Sequence, residues 1–382
     1  MVNRKNIYLM MMINMLSGMV FYASIATLYR QHFGLTMLDI ALIESVSLVL
    51  SLLLEVLWGF VADKIGYKKR MIICCLVYFI SKIVFMQATN FGGFLLERIL
   101  LAVVISGLSG LDTSIIHLSS GDKSEKYLGY YQSSGYIGLL VSSLVFIFFI
   151  NDNYYYMTLF TAIAYFGALV LSFFLDEVKK DNGEVFDFGK VKMIFSQVIK
   201  NKSLLIFVMF YAIICEVHQI ITVFIAQIKY TKLDLPMGYF GVVYILLVFA
   251  SLSGFLSDRI GKIINDRKLI VLSLLVIVGC CFTLSYTNSL VVSIGCVVVF
   301  RFLMMLIVPL IINLENKQVD TNYMASYLSI NALMIDMVAI GINLSIGKIS
   351  DVNVNFSFLI CGVLIMLSLV LFFIWSKRVT IK

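Results

Sequence analysis

Twelve apolar runs of membrane-spanning length, separated by short polar joints, leave this chain few ways to fold. They are Ile7–Tyr29, Leu38–Phe60, Met71–Thr89, Phe91–Thr113, Leu128–Ile150 and Tyr154–Leu175, then Leu204–Ile228, Met237–Leu256, Leu269–Tyr286, Leu290–Leu314, Tyr323–Ile346 and Phe356–Trp375. A helix needs roughly 20 apolar residues to cross the hydrocarbon core. Backbone groups in lipid must find partners within their own segment, so runs this long are predicted helices rather than open strands. Composition agrees, since 61% of the residues are hydrophobic and 13% charged. A soluble domain has roughly 45–50% and about 25%, so too little polar surface exists here to clothe a water-soluble globule. The first run follows Arg4 and Lys5 but is too long for a cleaved signal and lacks a small-residue cleavage site. It is expected to stay as the first span.

The formal charge of +7 raises nucleic acid or an anionic membrane surface as partners. The loops decide between them. With the N-terminus in the cytoplasm, 22 of the 29 Lys and Arg fall in cytoplasmic segments, four in outer ones and three inside spans. This is the positive-inside pattern. It predicts a multi-pass protein of the plasma (inner) membrane with both termini cytoplasmic, and no nucleic-acid partner. The one long joint, Asp176–Ser203, divides six spans from six. The expected domains are 1–176, a cytoplasmic linker 177–203, and 204–382. Within the linker, Val185–Lys200 reads either as a helix lying on the inner membrane face or as a solvated connection. The seven cysteines all lie in apolar runs and read as packing residues.

A charged island between spans two and three, Gly59–Arg70, reads G-F-V-A-D-K-I-G-Y-K-K-R. A weaker copy, Gly254–Lys262, lies between spans eight and nine. Gly59, Asp63, Lys64 and Gly66 match Gly254, Asp258, Arg259 and Gly261, each 195 positions on. A second correspondence is independent of the first: Arg98 and Asp112 match Arg301 and Glu315, 203 positions on. Two such matches make an internal duplication. The fold class is therefore all-α integral membrane, with twelve transmembrane helices as two six-helix bundles related by a pseudo-two-fold repeat.

Gly59–Arg70 resembles the loop signature of the major facilitator superfamily, G-x-x-x-D-[RK]-x-G-[RK]-[RK]-[RK], with Tyr67 its one departure. The resemblance implies a conformational latch made by Gly59, Asp63, Lys64, Gly66, Lys68, Lys69 and Arg70, with Asp63 as the latch acid, and echoed by Gly254, Asp258, Arg259 and Gly261. It also implies that spans one, four, seven and ten line a central cavity, and that the intramembrane Arg98 has counterparts linked to proton coupling in several members. The G-x(3)-G-P pattern usual in span five of the superfamily's drug–proton antiporters is missing, since Gly135 and Gly138 have no proline after them.

Charges inside lipid are costly and mark candidate functional sites. By depth, Glu216 in span seven, Arg301 in span ten and Asp336 in span eleven all lie near the midplane. An arginine between two acids can keep one ionised while the other takes a proton. The same residues could instead form a static ion-pair network. In the first half Glu44 lies at the depth of Lys82 and Arg98, allowing a pair with either, and Asp112 sits in the inner part of span four. Asn14, Ser17, Gly18 and Tyr22 share a face of span one; with Gln132 and Tyr136 they suit an amphipathic or neutral solute, or serve helix packing.

No nucleotide-binding loop, catalytic triad or metal cluster is evident, so no enzyme activity, cofactor or metal is expected. The chain reads as a monomeric secondary transporter working by alternating access. Its partners are the bilayer, protons and a small-molecule substrate. Proton-coupled efflux of amphipathic, drug-like molecules is the leading expectation. Proton-coupled uptake of a specific metabolite, or a non-transporting membrane sensor, are the alternatives.

Overall fold

The computed structural model describes residues 3–150, 153–178, 202–316 and 324–380, without the side chains of 56, 59–64, 122, 149–150, 316, 324–330 and 379–380. Among the described residues twelve helices are long and apolar enough to cross a membrane. In the first half they are α1 Arg4–His32, α2 Met37–Ile65, α3 Tyr67–Gln87, α4 Phe91–Ser120, α5 Ser124–Phe148 and α6 Tyr154–Phe173. In the second they are α7 Lys202–Lys232, α8 Met237–Ile264, α9 Asp266–Tyr286, α10 Leu290–Glu315, α11 Met324–Val352 and α12 Val354–Arg378. The surface helix considered for Val185–Lys200 falls outside the described residues.

Two compact units emerge. One comprises Met1–Leu35, Val46–Phe186 and Met237–Val242; the other comprises Thr36–Ser45, Asp187–Pro236 and Val243–Lys382. The first nine residues of α2 and the first six of α8 thus group apart from the rest of their helices.

In the first unit a glycine seam lets α1 and α5 touch backbone to backbone. A Cβ on Gly138 would lie 1.9 Å from the Met15 carbonyl oxygen, and one on Gly18 would lie 2.3 Å from that of Gly135. Small residues permit such approach, and van der Waals packing is the main attraction between helices in lipid. The Asn14 amide crosses the seam and donates to the Tyr131 carbonyl at 2.6 Å. Beyond Gly18, α1 loses its regular ladder before resuming at Ala23. The freed groups are satisfied by α6: Tyr165 donates its hydroxyl to the Ser17 carbonyl, and Phe21 N–H donates to Thr161 Oγ1. The unit closes at its chain ends, where Asn6 and Asp176 exchange two hydrogen bonds and Lys5 pairs with the Asp176 carboxylate at 2.6 Å. That lysine holds the Asp176 carboxyl below its ordinary value.

In the second unit α7 is the buried centre. Phe207 and Phe210 pack against Phe372 and Trp375 of α12. Lys229 lies just past the seventh apolar run, Leu204–Ile228, yet is buried at the end of α7. Its ammonium donates to the Thr287 carbonyl, just past α9, and to Asn355. A cation there suits the negative end of a helix. Asp351 of α11 caps the start of α2, accepting from the N–H groups of Met37 and Leu38.

Gly138→Ala should lower the thermal midpoint in detergent, equivalent to about 1–3 kcal/mol of overpacking. Gly129→Ala, whose added methyl meets nothing within 4 Å, is the control and should not fall. An unchanged midpoint for Gly138→Ala would refute the close seam.

Candidate functional site

The charged island joins α2 to α3 through a tight turn. Gly66 has φ of +76°, where glycine is favoured, and a Cβ there would press on the Glu177 carboxylate at 3.0 Å. Glu177 itself caps α3, accepting from the N–H groups of Tyr67 and Lys68. One turn further, Arg70 reaches α4. Its Nε donates to the Gly107 carbonyl at 2.7 Å and its Nη2 to the Ser109 carbonyl at 3.2 Å, while its guanidinium lies over the Trp58 ring. These carbonyls are exposed because α4 breaks at Gly110, which is left-handed with φ of +70°. The side chains of Asp63 and Lys64, the centre of the expected latch, lie outside the described set.

Asp112 stands in the first turn after this break, where a carboxylate meets the positive end of the restarted helix. It accepts the Tyr131 hydroxyl at 3.1 Å. Beside it opens a cavity of about 650 Å³, contributed by α1, α3, α4 and α5. Its polar lining includes Asn14, Ser17, Asp112 and Gln132, and its rings are Tyr78, Tyr131 and Tyr136. The volume lies in the roughly 300–1,000 Å³ range of small-molecule sites.

A second polar centre of the first unit is built round a fully buried carboxylate. Glu97, fully buried on α4, faces three cations: Lys82 at 3.1 Å, Arg98 at 3.6 Å and Arg30 at 4.0 Å. Lys82 also donates to the Tyr22 hydroxyl, and its ammonium lies 5.4–5.9 Å from the rings of Tyr22, Tyr78 and Tyr165. Glu97 is absent from the sequence expectations, which name its neighbour Arg98 and allow Glu44 a pair with Lys82 or Arg98; both cations lie at Glu97 instead. The only sequence signal was the adjacent acid–base pair inside an apolar run.

In the second unit the midplane charges separate onto two sides of α7. Glu216 is 5% exposed and faces the Asn343 amide, with Glu44 and Asp336 as its charged neighbours. Neither Glu216 Oε1 nor Asn343 Nδ2 makes a hydrogen bond of ordinary geometry. Arg301 is tied elsewhere: its Nε donates to Ser251 Oγ at 2.8 Å, and its Nη1 lies 2.7 Å from His218 Nε2. His218 was given no role on sequence grounds. Glu315, the repeat partner of Asp112, is buried at the end of α10 and accepts from Asn331. In the second charged island Asp258 pairs with Lys262 on the surface, and a Cβ on Gly261 would meet Asp266 at 2.4 Å.

The profile of the Major Facilitator Superfamily matches residues 7–344, and the chain belongs to that family of membrane transporters. It is a multi-pass membrane transporter and not an enzyme. Among solved structures, the nucleoside transporter NupG is similar with a TM-score of 0.77 and 15% identity, covering 98% of each chain. A D-xylose–proton symporter gives 0.77 at 14% identity over 97% of each. A bacterial homologue of the human lysosomal transporter Spinster gives 0.76 at 14%, over 98% of this chain and 97% of that one. Identities this low bear on the fold alone. No curated protein sequence matches.

Glu97→Gln removes the carboxylate that three cations share, which should destabilise the protein by about 3–5 kcal/mol. Thermal unfolding in detergent reads this. Pairing Glu97→Leu with Lys82→Met should recover part of the loss. Equal melting of Glu97→Gln and wild type would refute the shared-carboxylate role.

Proposed function

We propose that the chain is a proton-coupled exporter of small amphipathic cations, set in the plasma membrane with both termini cytoplasmic. The observation that carries this reading is the cavity beside Asp112. It combines one anchored carboxylate with three tyrosine rings and apolar flanks. A carboxylate attracts a cation, and aromatic faces attract it further. The apolar flanks suit the rest of an amphipathic molecule.

The energy source is the proton gradient, with Glu216 as the titrating group. Glu216 is buried, and the charged groups nearest it, Glu44 and Asp336, are acids, so a proton on Glu216 relieves like-charge repulsion. The charged island acts as a conformational latch. The ties of Arg70 to Gly107 and Ser109 support this, because they link the island directly to the turn that carries Asp112. Arg98 and Arg301 are anchored cations, the first at Glu97 and the second at Ser251 and His218.

A second reading, uptake of an uncharged polar metabolite, draws support from Asn14, Ser17 and Gln132 in the same cavity. The missing glycine–proline pattern in α5 also favours it, as do relatives of the same fold described as nucleoside and D-xylose transporters.

Reconstituted vesicles with an imposed pH gradient separate the two. Wild type should move ethidium against its own gradient and leave xylose and adenosine untouched. Asp112→Asn should raise the apparent KM for ethidium about tenfold, the equivalent of about 1.4 kcal/mol. Glu216→Gln should abolish gradient-driven movement and keep ethidium counterflow. Wild-type movement of xylose or adenosine without ethidium would replace this reading with the second. Wild-type behaviour of both variants would sink the site assignment.

A further inference from the structure

The cavity beside Asp112 has a wall that runs on past its lining to a second charge. On α3 the lining residues are Met71, Cys75 and Tyr78. Steps of four and three keep to one face of a helix, and the next place on that face is Lys82. At a 1.5 Å rise per residue, Lys82 lies about 16 Å beyond Met71 along α3. Asp112 belongs to the Met71 end. Arg70, next to Met71, donates to the Gly107 and Ser109 carbonyls, just ahead of the break that Asp112 follows. A carboxylate and an ammonium thus mark opposite ends of one wall.

Tyr78 is the partition between cavity and ammonium. Its ring lines the cavity, and Lys82 Nζ lies over that ring, 5.4 Å from the centroid. A ring that already attracts one cation offers less to another. Neither group is free to turn away. Tyr165 meets the Tyr78 ring edge to face with centroids 4.5 Å apart, and is itself fixed by donating to the Ser17 carbonyl. Lys82 is held by Glu97 at 3.1 Å and by the Tyr22 hydroxyl. Glu97 does not belong to Lys82 alone, because Arg98 and Arg30 share it.

We infer that Lys82 is a specificity-determining residue, which acts through Tyr78 to confine a substrate's positive charge to the Asp112 end, so that the cavity takes amphipathic cations with one charged head and excludes those with two.

This inference rests on the cation-export reading above and narrows its substrate class. Among the described residues that line the cavity, Asp112 is the one acid. A second cationic head at the Tyr78 end would give up its water, meet no carboxylate and face Lys82. In a protein interior the repulsion of two unit charges about 10 Å apart is worth about tenfold in affinity. A neutral tail at that end meets no such penalty.

Displacement of ethidium from the protein in nanodiscs, read by fluorescence polarisation against empty nanodiscs, tests this. Decyltrimethylammonium carries one cationic head, and decamethonium carries two on a chain of the same length. Wild type should bind decamethonium about tenfold more weakly than decyltrimethylammonium. Lys82→Gln removes the charge but keeps a donor for Glu97. It should bring the two affinities together by tightening decamethonium alone. Lys82→Arg restores the charge and should discriminate as wild type does. A merely structural lysine would change both affinities together and leave their ratio unmoved.

An unchanged ratio in Lys82→Gln, or equal affinities in wild type, overturns the inference. If Lys82→Gln does not fold, wild type still decides. Hexamethonium holds its second head farther from Lys82, so its penalty against hexyltrimethylammonium should be smaller than that of decamethonium against its own control. Equal penalties overturn the inference. Wild type that binds no ethidium overturns the export reading and this inference with it, whereas ethidium binding with an unmoved ratio overturns this inference alone.

Discussion

Lipid offers no hydrogen bonds, and the rest of this structure depends on that. Each interruption of a helix frees backbone groups that the protein must satisfy itself. The break in α1 is satisfied by Thr161 and Tyr165. The break in α4 is satisfied by Arg70, and the turn into α3 by Glu177. The chain spends its few polar residues at such joints. The candidate cavity opens between two of them, Gly18 on α1 and Gly110–Asp112 on α4. A broken helix also turns a side chain where a straight one could not, so the same joints that demand polar repair can present polar groups to a solute.

The architecture was largely legible in the sequence, because apolar run length answers directly to bilayer thickness. The repeat was legible because both islands need glycine at the matching place for their own reasons: Gly66 sits at a positive-φ turn, and Gly261 packs where a Cβ would meet Asp266. Depth along a helix was legible too, and it put Glu216, Arg301 and Asp336 at one level. Azimuth was not. Glu216 and His218 are two residues apart, about 200° around a helix, and they face different partners. Tertiary packing sets which face meets which helix, and apolar spans carry little amphipathic signal to report it. Glu97 was illegible for a related reason. Beside Arg98 it reads as a local ion pair, whereas its partners also include Lys82 and Arg30, contributed by α3 and α1.

The duplicated slots show what the two halves keep and what they change. Asp112 and Glu315 occupy equivalent positions, and each accepts from a polar residue on the following span, Tyr131 and Asn331. What differs is exposure: Asp112 borders a cavity, while Glu315 is 2% exposed. Arg98 and Arg301 also share a slot. Arg98 meets a carboxylate, Glu97, within a group that carries several fixed charges. Arg301 meets the imidazole of His218 and the hydroxyl of Ser251. The same slot of the duplicated scaffold thus holds a charged counter-group in one half and polar acceptors in the other. A carboxylate shared by several cations fixes its neighbours by charge, whereas an imidazole and a hydroxyl fix a guanidinium by direction alone, and the two arginine sites show the halves diverging in how they hold the same residue.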